Sequence, residues 1–274
     1  MSSGCRSALV AVALLALADC SASARELRIC ADPNNLPFSN DRLEGFENKI
    51  IDLIAHELDA AVQYTWRAQR RGFIRNTLGA KTCDLTAGSV ASLPMLKFTK
   101  SYYRSTYVFV GRRDLPEITS LDDPALRTLK IGVHLIGDDG FNVPPAHALA
   151  RRGIIENVRG YSLYGDYREQ NPPADLIKAV AVGEIDVAIA WGPLGGYFAA
   201  RQSPPLRVTP VVPALDGLLP MTFAIAMGVR RDDEALQHEI EAVLARRRSD
   251  IDAILSSYHV PLVQAPQTAA GPAP

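Results

Sequence analysis

The sequence predicts an α/β protein of two lobes, the second inserted between parts of the first, and three observations carry that prediction. Strand-like and helix-like apolar periods alternate through the opening third of the chain. The alternation restarts after the polar, Pro-containing connector "RRDLPEITSLDDP". The strand-like run "MTFAIAMGV" then returns to the first unit. Such a chain places a cleft between the lobes, with two crossing strands as its hinge.

The elements follow in order. Residues 1–24 combine Arg6, an apolar run from Ala8 to Ala18 and the small residues Ser21-Ala22-Ser23-Ala24, the pattern of a cleaved secretory signal. The run is too short to span a bilayer, and acidic Asp19 directly before Cys20 argues against a lipoprotein anchor there. "ELRICA" reads as a strand, and "GFENKIIDLIAHEL" carries Ile50, Ile51, Leu53, Ile54 and Leu58 at helical spacing. "VQYTW" is the next strand, "GFIRNTLGAK" a helix and "TCDLTAG" a third strand, giving β-α-β-α-β with parallel strands. "STYVFVG" ends the unit. The second unit comprises strand "LKIGVHL", helices in "PPAHALARRG" and "ADLIKAVAVG", and strand "DVAIAW". After the return strand, "DDEALQHEIEAVLARRRSDIDAILSSY" keeps helical periodicity, and "VPLVQAPQTAAGPAP" reads as disordered. The expected division is a signal in 1–24, one lobe from 25–110 with 218–259, a second from 111–217, and a tail in 260–274.

A hydrophobic fraction of 47% and a net charge of −1 describe an ordinary water-soluble chain, without the basic excess that nucleic-acid binding requires. Only Cys30 and Cys83 remain after signal removal, and an exported protein favours a disulfide over a reactive pair. In a doubly wound sheet of order 2-1-3, Cys30 at the end of the first strand and Cys83 at the start of the third are neighbours. A bridge between them would staple two central strands. Asp32 to Asn40 then form the loop at a strand's carboxyl end, fixed by Pro33 and Pro37, whether as part of a site or as a rigid turn.

The segments "RICADPNNLPFSN", "EGFENKI", "RRGFIRNTL", "CDLTAG", "SYYRSTYVFV", "PPAHALARRGIIENVRGYSLYGDY", "GEIDVAIAWGPLGGYFA" and "PMTFAIAMGVR" run through both lobes in order. On these the chain resembles the type II periplasmic solute-binding proteins. More narrowly it is similar to the periplasmic J-type proteins (MoxJ/XoxJ) encoded beside PQQ-dependent methanol and other quinoprotein alcohol dehydrogenases. The resemblance implies a periplasmic accessory protein that binds the dehydrogenase or its cytochrome c partner and assists maturation or activation. The fold alone would equally fit a solute-binding protein feeding an ABC importer.

One observation bears on the importer reading. Amino-acid binders of this fold hold the ligand's carboxylate with an Arg and its ammonium with an Asp. Ser92 and Trp191 stand at the equivalent places, with Lys97 or Arg104 as candidate substitutes for the Arg. A ligand with two unpaired ionic ends is costly to bury, so an amino acid is a poor candidate and a small non-amino-acid solute a better one.

Candidate cleft residues come from the loops at strand ends: Asn34, Asn35, Phe38, Ser89, Tyr102, Tyr103 and Arg104 in the first lobe, Asp138, Asp139, Trp191 and Tyr197 in the second. For Tyr102, Tyr103 and Trp191, core packing is an equally open reading. Asp138 and Asp139 within "GDDGF" supply too few oxygens for a hard cation without distant helpers, and turn formation and helix capping explain them. No catalytic or phosphate-binding motif surrounds the five histidines, so the expectation is a binding protein without enzyme activity, metal or cofactor.

Overall fold

The computed structural model describes residues 25–91, 94–136, 141–163 and 167–264. The expected signal, Ser92, Asp138, Asp139 and residues 265–274 of the expected tail lie outside them.

In the first half, β1 (Arg25–Ala31) leads to α1 (Phe46–Glu57), β2 (Ala60–Trp66), the single turn α2 (Phe73–Asn76), β3 (Leu85–Val90), β4 (Leu96–Phe98) and β5 (Tyr103–Gly111). The second half runs through β6 (Ile131–Ile136), α3 (Pro144–Arg151), β7 (Val158–Ser162), α4 (Asp175–Ala181), β8 (Val187–Trp191), α5 (Gly192–Ala200) and β9 (Arg207–Pro210). It returns through β10 (Thr222–Arg230) to α6 (Glu234–Arg246) and α7 (Arg248–Ser257).

With the two-residue strand Phe141–Asn142 these form one continuous 11-stranded sheet in the order β7-β6-β8-β5-β10-β3-β1-β2, with β4 beside β10, β9 beside β5 and Phe141–Asn142 beside β6. The two lobes meet at β5 and β10, which pair antiparallel from Tyr103↔Ile225 to Thr106↔Thr222. Beyond that pairing, β5 continues into the second lobe against β8, and β10 into the first against β3. These are the two crossing hinge strands.

Each lobe covers both faces of its part of the sheet. Along β8, Ala188 and Ala190 belong to one buried cluster with Val108, Leu176 and Leu194, while Val187 and Ile189 belong to another with Phe109, Ile131 and Leu149. Burial on both faces is why "DVAIAW" reads as an unbroken apolar run. In the first lobe, Phe46, Ile50, Ile51 and Ile54 of α1 pack with Ile240 and Val243 of α6 and with Ile251 and Leu255 of α7. Full burial of one such side chain contributes roughly 1.5–3 kcal/mol.

The order β2-β1-β3 places Ile29 and Cys30 beside Leu85 and Thr86, and Cys30 and Cys83 form a disulfide with a Cα–Cα distance of 5.5 Å. Phe73, Leu78 and Leu96 enclose it. That packing shortens the helix expected over "GFIRNTLGAK" to the single turn α2. The Thr77 hydroxyl donates to the Phe73 carbonyl at 2.6 Å and ends the helix, and Leu78 turns down onto the sulfurs.

Two further departures share a cause. The segment "GPLGGYFAA", with three glycines and a proline, gives no helical signal, yet it forms α5. The helix lies so close to its neighbours that a Cβ at Gly195 would fall 2.7 Å from Val108 Cγ2, and one at Gly196 2.0 Å from the His259 carbonyl. Pro261, which a Cβ at Gly196 would also meet, belongs to the segment expected to be disordered. Residues 260–264 instead lie along β5: Val263 N donates to the Arg104 carbonyl at 3.1 Å and Ser105 Oγ to the Pro261 carbonyl at 2.7 Å. Composition marked this stretch as tail, but Val260 is buried in the core and the backbone groups find partners.

Candidate functional site

A cleft of about 720 Å³ opens between the lobes at the carboxyl ends of the parallel strands. The first-lobe wall is Asn35 and Phe38 from the loop after β1, Glu47 from α1, Gln69, and Ser89 and Val90 at the end of β3. The second-lobe wall is His134 on β6, Val143 and Pro144 at the start of α3, Leu163, and Trp191 at the end of β8. The crossing strands close the back with Tyr103, Tyr107, Phe223 and Ile225.

Aromatic rings dominate the hinge side. Tyr107, Trp191 and Phe223 pack edge to face in a mutual cluster, with centroid separations of 5.5, 5.8 and 6.4 Å. Trp191 touches the cores of both lobes and keeps part of its surface on the cleft. Burial raises the Tyr103 and Tyr107 hydroxyls well above the ordinary phenol range, so both stay neutral.

Two titratable groups face each other across this surface. The His134 imidazole is buried, and the same desolvation pushes its pKa down to about 4. Its Nε2 lies 3.1 Å from the Pro173 carbonyl, which only accepts, so Nε2 carries the proton of a neutral ring. Opposite, burial first and neighbouring Asp32 second push the Glu47 carboxyl up to about 8. It sits directly above Gly88, where a Cβ would fall 2.0 Å from Glu47 Oε1. Neutral Glu47 and neutral His134 therefore face each other at pH 7, leaving both of these wall positions uncharged.

At the mouth, a polar clasp joins the lobes. Asn34 Nδ2 donates to the Glu169 carbonyl at 2.8 Å, and its Oδ1 accepts from Asn171 N at 3.0 Å. The Asp32 carboxyl accepts from Asn34 N at 2.8 Å, from Gln69 N at 2.6 Å and from the Tyr167 hydroxyl. The Arg70 guanidinium stacks 4.8 Å from the Tyr167 ring centre.

Of the residues singled out in the sequence, Asn35, Phe38, Ser89, Tyr103 and Trp191 line the cleft, and Asn34 bridges its mouth. Three others do not line it. Tyr102 is buried, its hydroxyl donating to the Ala87 carbonyl at 3.1 Å. Arg104 falls on the other face of β5 from Tyr103 and Tyr107 by strand alternation. Tyr197 is buried in the second lobe, stacked on Tyr258 at 5.6 Å and covered by Arg201. Lys97, a possible carboxylate anchor, is paired at 2.6 Å with Glu234. Among the described residues no group of three or more His, Cys, Asp or Glu could hold a metal ion.

Sequence reading missed Glu47, Gln69, Tyr107, His134 and Phe223. An acidic residue in a first helical turn reads as a partner of the helix dipole, and rings on crossing strands read as core. Their common property, facing the same void, exists only in the fold.

Residues 27–260 match the family described as bacterial extracellular solute-binding proteins, family 3. Protein MoxJ of Methylorubrum extorquens is 35% identical over 251 residues, covering 86% of this chain and 81% of the relative. Protein MoxJ of Paracoccus denitrificans is 28% identical over 276 residues, covering 95% and 96%. The crystal structure of the periplasmic binding protein XoxJ from Methylobacterium extorquens AM1 superposes with a TM-score of 0.72 at 36% identity, covering 87% of this chain and all of that one. No described helix is long and apolar enough to cross a membrane. The chain thus belongs to the family 3 extracellular solute-binding proteins and is a periplasmic binding protein of the MoxJ/XoxJ type.

Proposed function

We propose that this chain is an exported, non-catalytic accessory protein of a PQQ-dependent alcohol dehydrogenase system, binding the dehydrogenase or its cytochrome c in the cleft or on its rim. Binding there assists maturation or activation of the enzyme. The observation that carries this reading is similarity to MoxJ and XoxJ along nearly the whole mature chain. The cleft is consistent with it: it is wide, lined by aromatic rings, and has Trp191 where an amino-acid binder places its acidic anchor. Such a surface suits an apolar segment of a partner.

The experiment is affinity copurification of the mature protein from the periplasm of its host grown on an alcohol, with bound protein and small molecules identified together by mass spectrometry. Recovery of a quinoprotein dehydrogenase or its cytochrome is the expected result. A stoichiometric small molecule without a protein partner would instead assign the chain to an ABC importer as its solute-binding protein, the reading favoured by the family match.

A further inference from the structure

One polar group in the cleft is used by nothing else in the described chain. The Glu47 carboxyl makes no hydrogen bond or ion pair with another described residue, although it lines the cleft and lies against the Gly88 backbone. The groups around it come from every neighbouring element. They are Asp32 after β1, Tyr64 on β2, Tyr102 and Tyr103 at the start of β5, and His134 across the cleft. None of them is a cation, and the one charge acting on Glu47 is Asp32, which repels it. A carboxyl held in an apolar site without a counter-charge is a cost that a bound cation would remove.

The opposite surface completes the chemistry. The Tyr107, Trp191 and Phe223 rings offer apolar and π surface to an alkyl or aryl stem. A free carboxylate on the ligand would meet Glu47 and Asp32 with no described cation lining the cleft to receive it.

We propose that the cleft recognises an organic cation, an ammonium or guanidinium on an apolar stem and without a free carboxylate, with Glu47 as its ion-pair partner. The stem lies on the Tyr107, Trp191 and Phe223 rings. The same chemistry is presented by a Lys or Arg side chain within a partner protein and by a free amine. The inference rests on the proposed function only in taking the cleft as the binding site, and deepens it by naming what the cleft selects.

A pH signature follows. With the carboxyl protonated below about pH 8 in the empty cleft, an arriving cation must displace that proton. Affinity for the cation then rises about tenfold per pH unit between pH 6 and 7.5 and levels off above 8, and one proton is released on binding. A neutral ligand of the same shape shows no such slope.

The test is calorimetric titration of the mature chain with phenethylammonium, with the uncharged isostere 2-phenylethanol, and with a lysine peptide blocked at both ends. The expected result is tighter binding of the cations at pH 8, the tenfold slope below it, and heats in different buffers that report about one proton released near pH 6.5. Glu47→Gln is expected to weaken the cations at least about tenfold and to remove the slope while leaving 2-phenylethanol unchanged. Its melting temperature confirms folding. Tighter binding of the blocked peptide assigns the cation to a protein segment; tighter binding of phenethylammonium assigns it to a free amine. The proposal is overturned if 2-phenylethanol binds as tightly as the cations at pH 8, if Glu47→Gln leaves cation binding intact, or if no probe binds. Copurification of the dehydrogenase is independent of these outcomes, so either reading can fail alone.

Discussion

The two lobes are tied by different chemistry. In the first, the Cys30–Cys83 disulfide joins β1 to the start of β3, and Asp84 beside it accepts from Arg28 at 2.6 Å and from Arg230 of β10 at 2.6 Å. In the second, the corresponding work falls to a carboxyl. Asp216, buried in the connection from β9 to β10, accepts from Arg152 at 2.9 Å and from Arg151, and Arg152 also holds Asp122 at 2.8 Å. A covalent tie is indifferent to pH and salt and depends on an oxidising compartment. An ionic tie inverts those sensitivities. The lobe carrying the disulfide also carries Glu47, the half-buried, desolvated carboxyl that opposes stability, so the stronger tie sits where the site imposes the larger cost.

The largest effect expected from breaking this comparison is loss of the covalent tie. Removing both sulfurs, Cys30→Ala with Cys83→Ala, frees a loop of 53 residues' separation and should lower unfolding stability by about 2–4 kcal/mol, read from the urea midpoint. Parallel pairing of β1 with β2 across seven residues remains, so the fold should survive. Two free thiols in the untreated protein would remove the premise.

Asp216→Ala comes next, at about 2–3 kcal/mol, because it leaves the largely buried Arg152 with exposed Asp122 as its one remaining described carboxylate, beside the Ala148 carbonyl. The pH dependence has a definite sign. The Arg152 hydrogen bond leads the effects that lower the Asp216 pKa, so its stabilisation is present above the ordinary aspartate value. It is lost as pH falls through the still lower value in the folded chain. Variant and parent should therefore begin to converge as pH falls below about 4. Glu47 runs the other way: its pKa is raised to about 8 in the folded chain, so its ionisation costs stability as pH rises from about 4.3 toward 8. Glu47→Gln should accordingly raise the melting temperature, by more at pH 8 than at pH 5.

A third change tests what joins the lobes. Asn34→Ala deletes both clasp hydrogen bonds to 169–171 while touching neither lobe's core, at a cost of about 1–2 kcal/mol to the closed arrangement. Small-angle scattering should show a larger radius of gyration with the urea midpoint nearly unchanged. An unchanged radius would mean that the crossing strands and the remaining Tyr167–Asp32 bond set the lobe angle without Asn34.

How much of this was legible in the sequence differs by region for a physical reason. The β1-α1-β2-β3 order and the disulfide were readable, because local periodicity and the order of a doubly wound sheet depend on segments taken one at a time. The helix α5 was not, since its glycines mark close approach to Val108 and His259, partners distant in sequence. The cleft was half legible. Loop residues at strand ends followed from topology, which found Phe38, Ser89 and Trp191, whereas Glu47 and His134 acquire their properties only from burial in the folded chain.

The smallest expected effect separates the two kinds of aromatic residue that the sequence could not tell apart. Tyr197 and Trp191 flank the same glycine-rich stretch, yet the first turns into the second-lobe core and the second into the cleft. The Tyr197 ring is held by Tyr258 at 5.6 Å and Phe198 at 5.0 Å, and Arg201 lies 3.4 Å from its centre. None of these contacts needs the hydroxyl, so Tyr197→Phe should change stability by less than about 0.5 kcal/mol and leave the cleft's ligand affinity untouched. Trp191→Phe is the matched change in the cleft. It trims a ring shared by both lobes, and it should weaken binding of any apolar stem several-fold at little cost to the urea midpoint. If Tyr197→Phe instead weakened binding as much as Trp191→Phe, the cleft would extend behind α5, and the core assignment of Tyr197 would be wrong.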